Sequence, residues 1–185
     1  MKEMKVKGGP LLARLAFVRE QRGEEGVQRV VGRLSPEDRK TVSQLLTGSW
    51  YPFELNVRID QAVADEMGMG EKVFLLMGEK SAEQNLAGPH RALVVPGDPH
   101  GLLRRTPQIY QMYYDTGRRT YERVSDTKGV IRTFEANIVS RNDCLTVAGW
   151  HRKAIEICGG KNARITETQC RARGAEICEY VCEWS

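Results

Sequence analysis

The stretch Asp143-Cys144-Leu145-Thr146-Val147-Ala148-Gly149-Trp150, with Ile165-Thr166-Glu167-Thr168-Gln169-Cys170 and Cys178 after it, governs how the chain is read. Residues 144–158 space their apolar side chains as an amphipathic helix, for which Asn142 and Asp143 are candidate N-caps. Ala163 to Arg171 and Ile177 to Trp184 then read as a terminal hairpin turning at Ala172-Arg173-Gly174-Ala175. Cys170 and Cys178 flank its tip, and Cys144 lies in the first turn of the helix, where free amides and the helix dipole favour a thiolate.

Upstream, Thr106 as N-cap and Pro107 at the first position predict a helix to about Gly117. Strand-like runs follow at Thr120 to Ser125 and Val130 to Val139, joined by Asp126-Thr127-Lys128-Gly129. Gly88 to Gly101 is a long loop rich in Pro and Gly, with a short strand expected at Ala92 to Val95. The first half is helical. Leu11, Leu12, Leu15, Ala16 and Val18 form a stripe closed by Gly23, and a short helix with Val27, Val30, Val31 and Leu34 follows. Ser35, Pro36 and Asp38 are an imperfect capping box for a helix carrying Val42, Leu45 and Leu46 up to Gly48. Trp50-Tyr51-Pro52-Phe53 reads as a packed loop, and helices are expected from Phe53 to Met67 and from Glu71 to Leu86, the second weakened by Gly78. The whole reads as one α/β (α+β) domain over 1–185. A helical half (1–87), the loop (88–101) and an α/β half (102–185) pack helices on a small antiparallel sheet.

The 185 residues, 41% hydrophobic and 28% charged, suffice for a real core without a staple. The longest apolar run, Val73 to Met77, is far shorter than a membrane span, and Met1 to Lys5 has no apolar signal core, so a cytoplasmic location and no membrane contact are expected. A formal charge of +4 is scattered, and no aromatic residues alternate with the arginines, so nucleic acid is not an expected partner.

All five cysteines fall at or after Cys144, which asks for a local reason: buried small hydrophobes, a metal site or a redox thiol. Cys144, Glu167, Cys170 and Cys178 could form a tetrahedral zinc set. Glu167 and Cys170 are three apart, so a regular strand would point them to opposite faces, and a shared site requires a bulge. Spacing alone equally serves the reading that Cys170, Cys178 and Cys182 are packed thiols.

Over about 45 residues this region resembles the vinyl-4-reductase domain, the sensory half of phenol- and xylene-responsive bacterial transcription activators. Uncharacterised myxobacterial paralogues of the same superfamily end in a similar Gly-Trp helix and Cys-rich hairpin. The resemblance implies a structural zinc on Cys144, Glu167, Cys170 and Cys178, a homodimer, and the NO-signalling/Golgi-transport ligand-binding fold shared with vesicle-tethering subunits and, more distantly, haem-nitric-oxide-binding domains. The departures are specific. No ATPase or DNA-binding domain follows, so a complete activator is not expected, and the family's phenol-contacting His and Trp do not align onto His90, His100 or Trp150. The Tyr-x-Ser-x-Arg motif of the haem-binding relatives is missing, Tyr113 and Arg118 matching it only in type, so haem is not expected.

Tyr110, Tyr113 and Tyr114, with Trp150, are the candidate ligand-binding residues, although an aromatic stripe at helical spacing also serves as plain core. His151, two turns from Cys144, is too far along the helix to share its metal and reads as a surface or packing residue; His90 and His100 read as loop residues. Neither Gly68-x-Gly70 nor Gly97-x-x-x-Gly101 has a phosphate-loop context. The expected function is a non-catalytic sensory or adaptor module binding a small apolar ligand or a protein partner. The alternatives are an enzyme or accessory protein acting on a hydrophobic or tetrapyrrole substrate, and an assembly protein of the tethering type. Trp50, Tyr51 and Phe53 supply apolar surface for the homodimer.

Overall fold

Helix α1 (Gly8–Gly32) follows strand β1 (Lys5–Lys7) directly and breaks its path at Gly23, with φ 67° and ψ −172°. The two helices expected on either side of Gly23 are thus one kinked element, a backbone geometry that glycine supplies without a Cβ clash. The computed structural model of the chain describes residues 3–137 and 140–185. Helix α2 (Pro36–Ser43) starts as its signals dictate, with Ser35 Oγ accepting from the Asp38 amide at 3.1 Å, but it ends before Leu45 and Leu46. The loop expected at Trp50 to Phe53 is instead a strand, β2 (Trp50–Pro52), antiparallel to β1 with Val6 opposite Tyr51. Pro52 is tolerated because it sits at the end of a two-stranded ribbon.

Helices α3 (Phe53–Met67) and α4 (Lys72–Ala87) follow within a residue or so of their expected bounds. In the loop the expected strand at Ala92 to Val95 is a 3-10 turn, Arg91–Leu93, and α5 (Pro99–Leu103) begins where Asp98 Oδ1 accepts from the Gly101 amide at 2.8 Å. Helix α6 (Thr106–Tyr113) ends before Gly117, and Thr106 is not its cap: its hydroxyl donates back to the Leu103 carbonyl. Strands β3 (Arg118–Ser125), β4 (Lys128–Phe134), β5 (Arg164–Gln169) and β6 (Cys178–Glu183) form one antiparallel sheet in the order β3-β4-β6-β5. The end of the expected run to Val139 lies outside the described residues. Helix α7 (Arg141–Ile157) is capped by Ser140, two and three residues before the expected candidates Asn142 and Asp143.

Helices α4 and α7 join the helical half to the sheet, and two glycines set how closely they approach. A Cβ on Gly78 would lie 1.9 Å from the Thr146 carbonyl oxygen, and one on Gly149 2.1 Å from that of Leu75. Gly78, which weakens a helix by propensity, is therefore what brings α4 against α7. Among the described residues no helix is long and apolar enough to cross a membrane.

Candidate ligand cavity and thiol cluster

At the tip of the terminal hairpin the β5–β6 register shifts between Glu167 and Gln169, the bulge that the spacing required. It helps bring Cys170 round to Cys178 and to Cys144 in the first turn of α7. The Cys144 and Cys178 sulfurs are 3.8 Å apart and those of Cys170 and Cys144 3.9 Å, all buried. The hydrogen bond to Cys178 and burial hold the Cys144 thiol well above its ordinary value; the same bond, helped by the Arg171 amide, lowers Cys178 to about 7. Glu167 is not among the three converging sulfurs but lies beside them: one carboxylate oxygen pairs with Arg141, and burial together with the Glu167 carboxylate holds the Cys170 thiol above its ordinary value.

The aromatic candidates come together elsewhere. Tyr110, Tyr113, Tyr114 and Trp150 line one cavity of about 80 Å³ between α1, α4, α6 and α7. Tyr110 and Tyr114 stack with ring centroids 4.8 Å apart; Tyr110 donates to the Thr116 carbonyl and Tyr114 to Asp143 at 3.2 Å. Burial raises Tyr110 to about 12 and Tyr114 further, so both stay protonated donors. On the other side of this pair a smaller cavity, about 40 Å³, reaches Cys144 and Cys178.

Several site residues escaped the sequence reading. Arg14, 3% exposed, sends Nε to Asp60 at 2.6 Å and Nη2 to Asp143 at 3.1 Å, while Asn56 Nδ2 bridges the two carboxylates at 3.5 and 3.4 Å. The available signal was a charge on an apolar face: Arg14 shares its stripe with Leu11, Leu15 and Val18, and Asp60 is flanked by Ile59 and Val63. Of the two roles read for His151, surface or packing, the structure gives packing. The residue falls on the α7 face of Cys144, Ala148 and Ile155, is 1% exposed, lines the larger cavity, and leaves Nδ1 without a hydrogen-bond partner. Burial holds its imidazole well below the ordinary value, hence neutral. His90 and His100 are buried too, bonded respectively to Tyr113 at 2.6 Å and to Tyr121 and the Asp126 carbonyl.

Burial, opposed by Arg14 and reinforced by Asp143, raises Asp60 from its ordinary 3.8 to about 6. A raised acid binds its proton more tightly in the folded state, so its contribution is complete below about pH 4 and is lost as pH rises through 6. Asp60→Asn should remove that fall. Urea denaturation at pH 4 and pH 7 is expected to show the variant gaining on the parent as pH rises; a constant difference would contradict the assignment.

With the geometry in hand, solved structures resemble this chain along nearly all of its length. The Fe(II) unliganded H-NOX protein from K. algicida matches with TM-score 0.75 and 14% identity over 97% of this chain and 96% of that one. The S. oneidensis H-NOX protein in its Fe(II)NO ligation state matches at 0.76 and 18%, covering 97% and 99%. The fold is the H-NOX fold. An oxygen-binding H-NOX domain related to soluble guanylate cyclases matches at 0.69 and 11%, covering 97% and 95%. No protein-family model matches the chain, and no curated protein matches it.

These findings correct two expectations. The vinyl-4-reductase resemblance rested on one helix and one hairpin, whereas the agreement along the whole chain is with H-NOX domains, which that reading had placed as distant relatives. The zinc is corrected with it: the H-NOX structures named above are described by Fe(II) or by oxygen, another by haem redox potential, and none of these by zinc. A haem iron needs an axial His, Cys, Met or Tyr in a pocket of at least about 300 Å³. Here the two cavities that such side chains line measure about 80 and 40 Å³, and the Arg14, Asp60 and Asp143 network packs beside them. The residues do not fit haem.

Proposed function

We propose that the chain is a non-catalytic sensory module that binds a small ligand in the cavity between α1, α4, α6 and α7. The carrying observation is that aromatic walls from Tyr110, Tyr113, Tyr114 and Trp150 and the unpartnered His151 surround one space. The fold supports the reading, since structures sharing it are described as bound to nitric oxide and to oxygen. A cytoplasmic homodimer is the form this reading takes. Its apolar ground is narrower than the sequence suggested, because Phe53 belongs to the core while Trp50, at 40%, and Leu46, at 65%, are exposed.

The cavity is about half the size of an engineered apolar cavity of about 150 Å³ that admits benzene or xenon. A single xenon atom is therefore the right probe, and an aromatic ring is too large without rearrangement. Under xenon pressure the methyl resonances of Ile109 and Val147 and the Trp150 indole signal are expected to shift saturably, and Val147→Phe, which fills the space, should abolish the shift. Shifts that grow linearly without saturation, in parent and variant alike, would remove the reading.

A further inference from the structure

We infer that the cavity takes a planar oxyanion of about three or four non-hydrogen atoms, the class of the smallest carboxylates, and that the Arg119 guanidinium is the group that holds it. The inference rests on the proposed cavity reading and adds the chemistry of the occupant. The size follows from about 80 Å³ against the roughly 30 Å³ that each water occupies in the liquid.

Strand alternation divides the two arginines at the start of β3. Arg118 is exposed, over the Phe134 ring at 4.2 Å and beside Glu135 at 3.7 Å. Arg119 turns inward with Tyr121. Its guanidinium lies 4.7 Å from the centre of the Tyr110 ring, and Nε donates to Thr133 Oγ1 at 3.1 Å. It lines both the larger and the smaller cavity. Buried groups around them feel its charge, which opposes the rise at Tyr110 and Tyr114 and adds to the fall at His151.

Arg14 is held by Asp60 and Asp143, whereas Arg119 forms no ion pair among the described residues. With Nε committed, Nη1 and Nη2 have no partner there either, and, unlike Nδ1 of His151, neither is sealed from a water-sized molecule. An interior cation is ordinarily paired, and two neighbouring guanidinium nitrogens match the two oxygens of a carboxylate. Asp143 is already engaged, its carboxylate taken by Arg14, Asn56 and Tyr114. Of the carboxylates and guanidiniums lining the larger cavity, Arg14 and Arg119 therefore face Asp143 alone. A cation would meet two guanidiniums and no free carboxylate, and a neutral occupant would leave Arg119 uncompensated.

The test compares formate with formamide, which match in size and differ in charge and in the second oxygen. NMR titration of the full chain at fixed ionic strength reads both, with xenon as the control for an open cavity. Formate is expected to bind saturably, about tenfold more tightly than formamide, and to shift the Arg119 guanidinium resonances together with the Trp150 indole signal. Arg119→Gln should lower formate affinity about tenfold while xenon still enters. Arg118→Gln, which removes the same charge outside the cavity, should change it less than about twofold. Should Arg119→Gln fail to fold, Arg119→Lys, which keeps the charge and loses the fork, should weaken formate about fivefold, and the guanidinium resonances of the parent report the contact directly. Absence of saturable formate binding, equal or tighter formamide, formate shifts that bypass Arg119, or equal weakening by the Arg118 and Arg119 variants would overturn the inference and leave the cavity reading standing. Failure of xenon to enter the parent would overturn both.

Discussion

Replacing Arg14 with methionine is expected to cost about 3–5 kcal/mol of folding stability, the largest single-site effect in the molecule. The guanidinium is raised well above its ordinary value: burial works against its charge, and Asp60 and Asp143 more than overcome it. Methionine fills similar space but leaves two carboxylates facing each other inside the protein with only Asn56 between them. Part of the loss should return when the acid is removed as well. Arg14→Met combined with Asp60→Asn is expected to be more stable than the sum of the single costs, because the penalty comes from uncompensated charge and not from lost packing. Urea denaturation of the parent, the two single variants and the double variant measures the coupling. Strict additivity would mean that Arg14 contributes mainly through its stem and its bond to the Pro10 carbonyl.

Alanine at Gly149 or Gly78 is expected to destabilise by about 3 kcal/mol, the upper end of the usual overpacking cost. By helix propensity alone the same change would stabilise by about 1 kcal/mol. The packing term wins because the added methyl meets backbone, not a side chain that can turn aside: the distances of 1.9 and 2.1 Å to carbonyl oxygens can be relieved only if α4 and α7 move apart. Gly32→Ala is the internal control. It lies in a helix with open space around its Cβ position and should be neutral or stabilising. Melting temperatures of the three variants should therefore split, with Gly32→Ala at or above the parent and the other two well below it. Because α7 carries Val147, Trp150 and His151, the Gly149 variant should also weaken xenon uptake.

Much of the helical framework was legible because its signals are local. Ser35 with Pro36 placed the start of α2, and apolar periodicity located α3 and α4 almost to the residue. The terminal hairpin was legible too, whereas the irregularity near Glu167 was expected only as a requirement of a site shared with Cys170. Where the reading failed, a distant segment or the preceding turn had changed the outcome. Trp50 to Pro52 contains a proline and reads as a loop, but Lys5–Lys7 offers its backbone as a partner. Thr106 looks like a cap, yet the preceding turn supplies Leu103 as an acceptor for its hydroxyl.

By itself the sequence determined the helical first half and the α-helix and hairpin at the end. Caps, proline positions and apolar periods act over three or four residues, so their energies are already present in the local chain. Tertiary structure alone decided that Arg14, Asp60 and Asp143 meet, that Gly78 and Gly149 carry a helix crossing, and that His151 is buried with no partner for Nδ1. Each depends on elements far apart in the sequence converging. The cost of burying a charge or leaving an imidazole nitrogen unpaired depends on which groups the fold brings to within a few ångströms, and no spacing along one segment encodes that.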